Sequence, residues 1–195
     1  MGLRLCAFGE STVNGTGDPE HLGWLGRAVA GRRDITLYNL GIRRETSSEL
    51  ARRWRAEAML RWTDAEPMRL VFSFGLNDCT PGPVQGVRLP PAQAVANARV
   101  ILGEAIALAP TVMVGPPPPA DAGLRDRARA LNPLLGEAAS TLGVPYIDVF
   151  AGLEAEPVWM TEVAEWDGAH PSAGGYAALA RIVAAAPAWA GLLAL

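Results

Sequence analysis

The sequence predicts an α/β sandwich built on a parallel sheet. Five short apolar runs alternate with longer amphipathic stretches along the 195 residues. Several of those runs are apolar without alternation, as strands buried on both faces are. Each run is bounded by Gly, Pro or Asn. Strand and helix in repeated succession imply helices covering a parallel sheet. Right-handed crossovers then bring every strand's carboxyl end to one edge.

The first run is Leu3 to Phe8. A short helical stretch, Gly23 to Ala30, leads to the second, Ile35 to Leu40. Thr46 to Arg61 follows as a longer helix, with Thr46 or Ser47 as its cap. Leu70 to Phe74 is the third strand. Thr80 to Pro91 is rich in Pro and Gly and reads as a loop suited to a lid. Ala92 to Ala109 is the clearest helix. Val95, Ala98, Leu102, Ala105 and Ala109 form an apolar stripe, with Gln93, Asn97 and Glu104 opposite and Arg99 near the stripe. Thr111 to Val114 is the fourth strand, and Pro116 to Pro119 is expected to stiffen a loop wall after it. Arg125 to Leu142, the strand Val144 to Ile147 and the helix Ala173 to Ala186 complete the series.

Composition bounds the function. A single domain over residues 1–195 is expected from the length. Half of the residues are hydrophobic and 19% are charged, an ordinary globular balance. The net charge of -3 gives no reason to expect nucleic acid. The densest basic stretch, Arg52-Arg53-Trp54-Arg55, has Glu49 and Glu57 nearby and reads as a solvated helix face. Cys6 reads as a core residue and Cys79 as a neighbour of the site; two cysteines make no disulfide scaffold. No metal-ligand spacing or nucleotide fingerprint occurs, so no cofactor or metal is expected. Met1 leads within a few residues into the first strand, and no secretory leader is read there. No apolar run approaches the roughly 20 residues of a membrane span. A cytoplasmic protein without stable membrane insertion is expected.

Two motifs stand at opposite ends of the chain. Phe8-Gly9-Glu10-Ser11 closes the first strand, and Asp167-Gly168-Ala169-His170-Pro171 lies near the C-terminus. They supply a hydroxyl, an imidazole and a carboxylate, the set that turns a serine into a nucleophile. Ser11 is the candidate nucleophile and His170 the candidate base. The other histidine, His21, lies in a polar loop stretch. Asp167, three residues before His170, is the candidate orienter of the ring. Asp148, at the end of the fifth strand, is the competing acid. Gly41 ends Asn39-Leu40-Gly41 and offers an unhindered backbone N–H. Asn77, in Gly75-Leu76-Asn77-Asp78, offers a side-chain amide. With the Ser11 N–H these are candidate oxyanion donors. All follow strands and so reach the edge where open α/β sheets bind ligands.

Ser11, Gly41, Asn77 and His170, in this order, resemble the SGNH hydrolase superfamily, also called GDSL-type esterases and lipases. Four blocks carry the resemblance, from Gly9 to Pro171. It implies a three-layer α/β/α sandwich with a flavodoxin-like five-stranded parallel sheet. It also implies a Ser11–His170–Asp167 triad, with Ser11, Gly41 and Asn77 forming the oxyanion hole. Two positions depart from the pattern. Glu10 replaces the usual Asp before the serine and is expected to support the site structurally. Arg44 stands where glycine is common, so that loop is expected to take a different path. Arg43 and Arg44 either face the pocket, favouring a polar or anionic substrate, or form a solvent-exposed pair. The residues after Ser11 exclude the G-x-S-x-G elbow.

These features predict a serine ester hydrolase acting on a small-molecule carboxylic ester or thioester. The alternatives are an acyltransferase on the same triad and a catalytically silent ligand-binding protein. Trp24, Trp159, Met160 and Trp166 are candidates for an acyl or aryl pocket, with core packing as the competing reading. Glu154 to Glu165 is expected to shape one wall of the cleft. Natural substrate, acyl-chain length and oligomeric state are not encoded in these motifs.

Overall fold

The computed structural model describes residues 2–84 and 86–194. Met1, Gln85 and Leu195 lie outside them. So do the extreme start of the expected leader-free terminus, one position of the expected 80–91 loop and the outer bounds of the expected domain.

Five strands form one parallel sheet in the order β2-β1-β3-β4-β5. They are β1 (Leu3–Gly9), β2 (Ile35–Gly41), β3 (Met68–Ser73), β4 (Thr111–Val114) and β5 (Tyr146–Ile147). β1 pairs with β2 from Leu3 opposite Ile35 to Gly9 opposite Gly41, and with β3 up to Gly9 opposite Ser73. The chain leaves β1 toward one side for β2 and crosses to the other for β3. The β1/β3 junction is therefore the topological switch point.

The helices are α1 (Ser11–Asn14), α2 (Gly23–Ala28), α3 (Ser47–Met59), α4 (Pro91–Leu108), α5 (Ala122–Thr141), α6 (Phe150–Glu154), α7 (Pro157–Glu165), α8 (Ala173–Ala185) and α9 (Pro187–Leu192). The period-2 rule of strands divides the core. Leu3, Leu5 and Ala7 pack with Val71, Val112 and Val114 against Trp24, Trp159, Tyr176 and Trp189. Cys6 and Phe8 pack with Leu70, Phe72 and Met113 against α3, α4 and α5. The sheet is covered on both faces, as the three-layer reading requires.

Boundaries move for local reasons. β5 starts at Tyr146, not Val144, because Pro145 has no N–H for the ladder. α5 starts at Ala122 because Asp121 caps it, its side chain accepting from the Leu124 N–H at 2.7 Å. Thr46 caps α3 in a capping box with Glu49. Asn97 is buried, contrary to its expected place on the polar face. It donates to the Ser47 and Ser48 hydroxyls at 2.8 Å and ties α4 to α3. Arg52 and Arg55 are exposed, but Trp54 is core and Arg53 is largely covered, so the basic stretch is only partly a solvated face. Among the described residues no helix is long and apolar enough to cross a membrane.

Candidate active site

The site is assembled at the carboxyl ends of β1, β2 and β3. Gly9 ends β1 at φ 152°, and a Cβ there would stand 1.9 Å from the Ser73 carbonyl oxygen. Only glycine fits, so the chain turns sharply and begins α1 at Ser11. As the first helical residue, Ser11 has a backbone N–H with no acceptor inside α1.

Gly41 ends β2 beside that turn. A Cβ on it would lie 2.3 Å from the Asn14 nitrogen and 2.8 Å from the Glu10 carbonyl oxygen. This glycine is required by close approach rather than by an unusual φ. Its N–H donates to Asn39 Oδ1 at 3.2 Å, a long bond. Asn39 is itself held by donating to the Val13 carbonyl at 2.8 Å.

The turn after β3 is fixed by Glu10. Its two carboxyl oxygens accept from the Leu76 and Asn77 N–H groups, each at 2.9 Å. Glu10 therefore has the structural role expected of it. Burial pushes its carboxyl up to about 8, outweighing the Asn77 and Leu76 amides, and the nearby Asp78 adds to the rise. The Asn77 side-chain amide donates to the Glu45 carbonyl at 3.1 Å.

His170 arrives on the loop before α8. Its Nε2 lies 2.6 Å from Ser11 Oγ, although 159 positions separate the two residues. Its Nδ1 lies 2.7 Å from Asp167 Oδ2. A carboxylate only accepts, so Nδ1 carries the hydrogen and Nε2 is left to accept from the serine hydroxyl. Asp167 Oδ1 accepts the Ala169 and His170 N–H groups at 3.1 and 3.0 Å. Burial raises the Asp167 carboxyl, but its bonds to the His170 ring and to those amides outweigh this and hold it below the usual range. Asp148 is not the partner of the ring. Its carboxylate accepts from the Phe150 N–H two residues on, at 2.9 Å, in the turn that leads into α6.

Several supports of the His170 loop left no mark in the sequence. Glu162 on α7 accepts the Ser172 and Gly175 N–H groups at 2.9 and 2.6 Å, satisfying the start of α8. The Ala120 N–H donates to the Gly168 carbonyl at 2.7 Å. The Tyr176 hydroxyl donates to the Thr16 carbonyl at 2.7 Å. Each contact joins segments whose spacing has no local pattern.

The aromatic candidates separate. Trp24 and Trp159 are core, Trp159 donating to the Pro118 carbonyl at 2.8 Å, and Met160 packs partly buried against the same core. Residues 116–119 are buried and so form no open loop wall. Trp166 alone stands at the site. It is 55% exposed, its ring centre 5.7 Å from that of His170. It borders a groove of about 570 Å³ with Asn14, Thr16, Asp18, His21 and Arg43. A smaller hollow, about 280 Å³, lies between Gly17, Trp166 and Glu162 and Glu165 of α7. The α7 segment thus forms a wall, as expected of residues 154–165.

Arg43 faces this groove, its guanidinium 3.6 Å from Asp167 Oδ2. Arg44 is exposed, with φ 68°. It takes the left-handed backbone that glycine takes freely, so its side chain does not by itself impose a different path. Cys79 is buried, its thiol pushed up to about 12 by burial, and Cys6 is core. Among the described residues no three His, Cys, Asp or Glu side chains could hold a metal ion together.

Comparison with known proteins adds three findings. A family model described as GDSL-like Lipase/Acylhydrolase matches residues 7–178. No curated protein matches the chain. Similar solved structures include a lipase/acylhydrolase from Enterococcus faecalis (21% identity, 93% of each chain covered, TM-score 0.76). The acetylxylan esterase Axe2 from Geobacillus stearothermophilus is another (19% identity, 93% of this chain and 92% of that one, TM-score 0.75). A lipolytic G-D-S-L family protein from Veillonella parvula is a third (18% identity, 93% and 96% covered, TM-score 0.70).

Proposed function

The chain belongs to the GDSL-like lipase/acylhydrolase family, and from that premise we propose that it is a serine esterase working through an acyl-enzyme on Ser11. The observation that carries this reading is the 2.6 Å approach of Ser11 Oγ to His170 Nε2. His170 takes the hydroxyl proton as Oγ attacks the ester carbonyl carbon. Asp167 keeps the ring in the required tautomer and stabilises the imidazolium. The Ser11 and Gly41 N–H groups and the Asn77 side-chain amide receive the oxyanion. Collapse of the tetrahedral adduct breaks the bond to the alcohol oxygen, which leaves with the proton from His170 Nε2. Water then gives a proton to Nε2 and attacks the acyl carbon, and Ser11 recovers its hydroxyl as the acid departs.

The groove beside Trp166 is the place for the rest of the substrate. Its polar lining by Asn14, Thr16, Asp18, His21 and Arg43 suits a polar alcohol portion better than a long alkyl chain. The Axe2 neighbour acts on an acetylated polysaccharide by its name, which is compatible with that reading. Hydrolysis of p-nitrophenyl acetate and labelling by a fluorophosphonate test the chemistry together. The wild type should show both, and Ser11→Ala should lose both. Unchanged ester turnover by Ser11→Ala would remove Ser11 from the mechanism.

A further inference from the structure

Arg43 stands on the loop between β2 and α3 and borders the groove beside Trp166. Its side chain is 53% exposed, and its one ionic contact among the described residues is Asp167 Oδ2 at 3.6 Å. That distance is too long for a hydrogen bond. The carboxylate is already engaged elsewhere, Oδ2 with His170 Nδ1 and Oδ1 with two backbone N–H groups. Two other arginines nearby are held quite differently. Arg27 is 14% exposed and donates to both Asp18 oxygens. Arg53 is 17% exposed, donates to both Glu45 oxygens and donates to the Leu40 carbonyl at 2.8 Å. Those two are structural clips. The Arg43 guanidinium makes no hydrogen bond among the described residues, so its fork of donors is open to the groove.

The rest of the lining has spent its acceptors. Asp18 borders the groove, but its carboxylate is fully buried and shared between Arg27 and the Glu20, Leu22 and Gly23 N–H groups. Asn14 Oδ1 accepts from the Thr16 hydroxyl at 3.1 Å. His21 is exposed and adds a ring N–H to the same wall. Its backbone sits at φ 56°, held by its own N–H on the Asp18 carbonyl at 3.1 Å and by the Asp18 bonds to Glu20 and Leu22 on either side. Donors are left over where acceptors are not, and such a lining fits an acceptor-rich anion. The exposed carboxylate of Glu165 borders the smaller hollow instead, which the groove meets at Gly17 and Trp166. A negative group brought this close to Asp167 would be repelled by an uncompensated carboxylate. Arg43 supplies the opposite charge to both.

We propose that Arg43 is a specificity-determining residue, its guanidinium selecting esters whose alcohol portion carries a carboxylate. The inference rests on the esterase reading and on the groove as the seat of the alcohol portion. The planar fork receives the two carboxylate oxygens side by side, a fit that a point charge does not reproduce.

The test uses a matched pair of acetates, 4-acetoxybenzoate and 4-acetoxybenzamide, with the 3-substituted pair alongside to sample a second carboxylate position. Each pair shares its acyl group and outline and differs in charge at neutral pH. The anionic-to-neutral ratio of kcat/KM is compared between proteins, so the leaving groups' own reactivities cancel. Arg43→Gln should lower this ratio by about 10-fold for at least one pair, the scale of a charged hydrogen bond at a half-exposed site. Arg43→Lys keeps the charge but not the fork, and should fall between. In the wild type, raising salt from about 0.05 to about 0.5 M should lower the ratio by about 3-fold. This salt measurement reads the contact even where a variant fails to fold. A wild type that turns over the neutral ester through Ser11, with a ratio unmoved by salt and by Arg43→Gln, overturns the inference alone. Equal loss of both esters in Arg43→Gln also overturns it, since Arg43 would then act only through Asp167. A wild type without Ser11-dependent hydrolysis overturns it together with the proposed function.

Discussion

Replacing Gly41 by alanine adds one methyl group where no room exists. That methyl would lie 2.3 Å from the Asn14 nitrogen, 2.8 Å from the Glu10 carbonyl oxygen and 2.9 Å from Asn14 Cα. All three are backbone atoms, so no side chain can rotate away. Ordinary contact begins near 3.4 Å, so α1 and the end of β2 must part by about 1 Å. Ser11 begins α1, and Gly41 carries one proposed oxyanion donor, so this displacement separates nucleophile from donor. A misplacement of that size costs about 100-fold in rate, or about 2.7 kcal/mol of transition-state stabilisation. Overpacking should also cost about 1–3 kcal/mol of stability, lowering Tm by roughly 3–10 °C in a chain of this length. Steady-state hydrolysis of p-nitrophenyl acetate and thermal melts measure the two effects. Gly103→Ala is the control. It lies inside α4, where an added Cβ would meet Leu142 Cδ2 at 3.9 Å, an ordinary contact. It should leave kcat unchanged and raise stability by up to about 1 kcal/mol. A Gly41→Ala protein with kcat/KM within 3-fold of wild type would refute the steric reasoning.

Two further outcomes concern buried carboxyls. Asp18 accepts the Glu20, Leu22 and Gly23 N–H groups and pairs with Arg27. Burial opposes its charge, but Arg27 and the amides prevail and hold it at about 2. Asp18→Ala should cost about 3 kcal/mol at pH 7; because the wild-type advantage is lost as pH falls from about 4 through 2, urea titrations at pH 7 and 3 should show the gap narrowing. Glu10 keeps its proton up to about pH 8 in the fold but sheds it near 4.5 when unfolded. Wild-type stability should therefore decline as pH rises from about 4.5 to 8. Glu10→Gln should lack this decline while losing about 1–3 kcal/mol at pH 5, since one buried amide hydrogen loses its acceptor; parallel slopes for the two proteins in urea would contradict the buried-carboxyl account.

The chain itself determined the order of strands and helices, because apolar runs bounded by Gly and Pro are local signals. Thr46 was legible as one of two candidate caps for the same reason, but its reciprocal bond with Glu49 was found only in the structure. The four polar blocks marked Ser11, Gly41, Asn77 and His170 because each follows its own strand or precedes its own helix. The pairing of Asp167 with His170 was also legible, since three residues in a turn bring carboxylate to ring. Tertiary structure alone decided the rest. It sent Trp24 and Trp159 into the core and left Trp166 at the groove, a choice no composition encodes. It brought Glu162 to the start of α8 and Arg53 to the Leu40 carbonyl, contacts between elements that have no common spacing. Periodicity reports which side of its own helix or strand a residue occupies. Only the packed sheet fixes which neighbour that side meets, and the working geometry around Ser11 is made of such meetings.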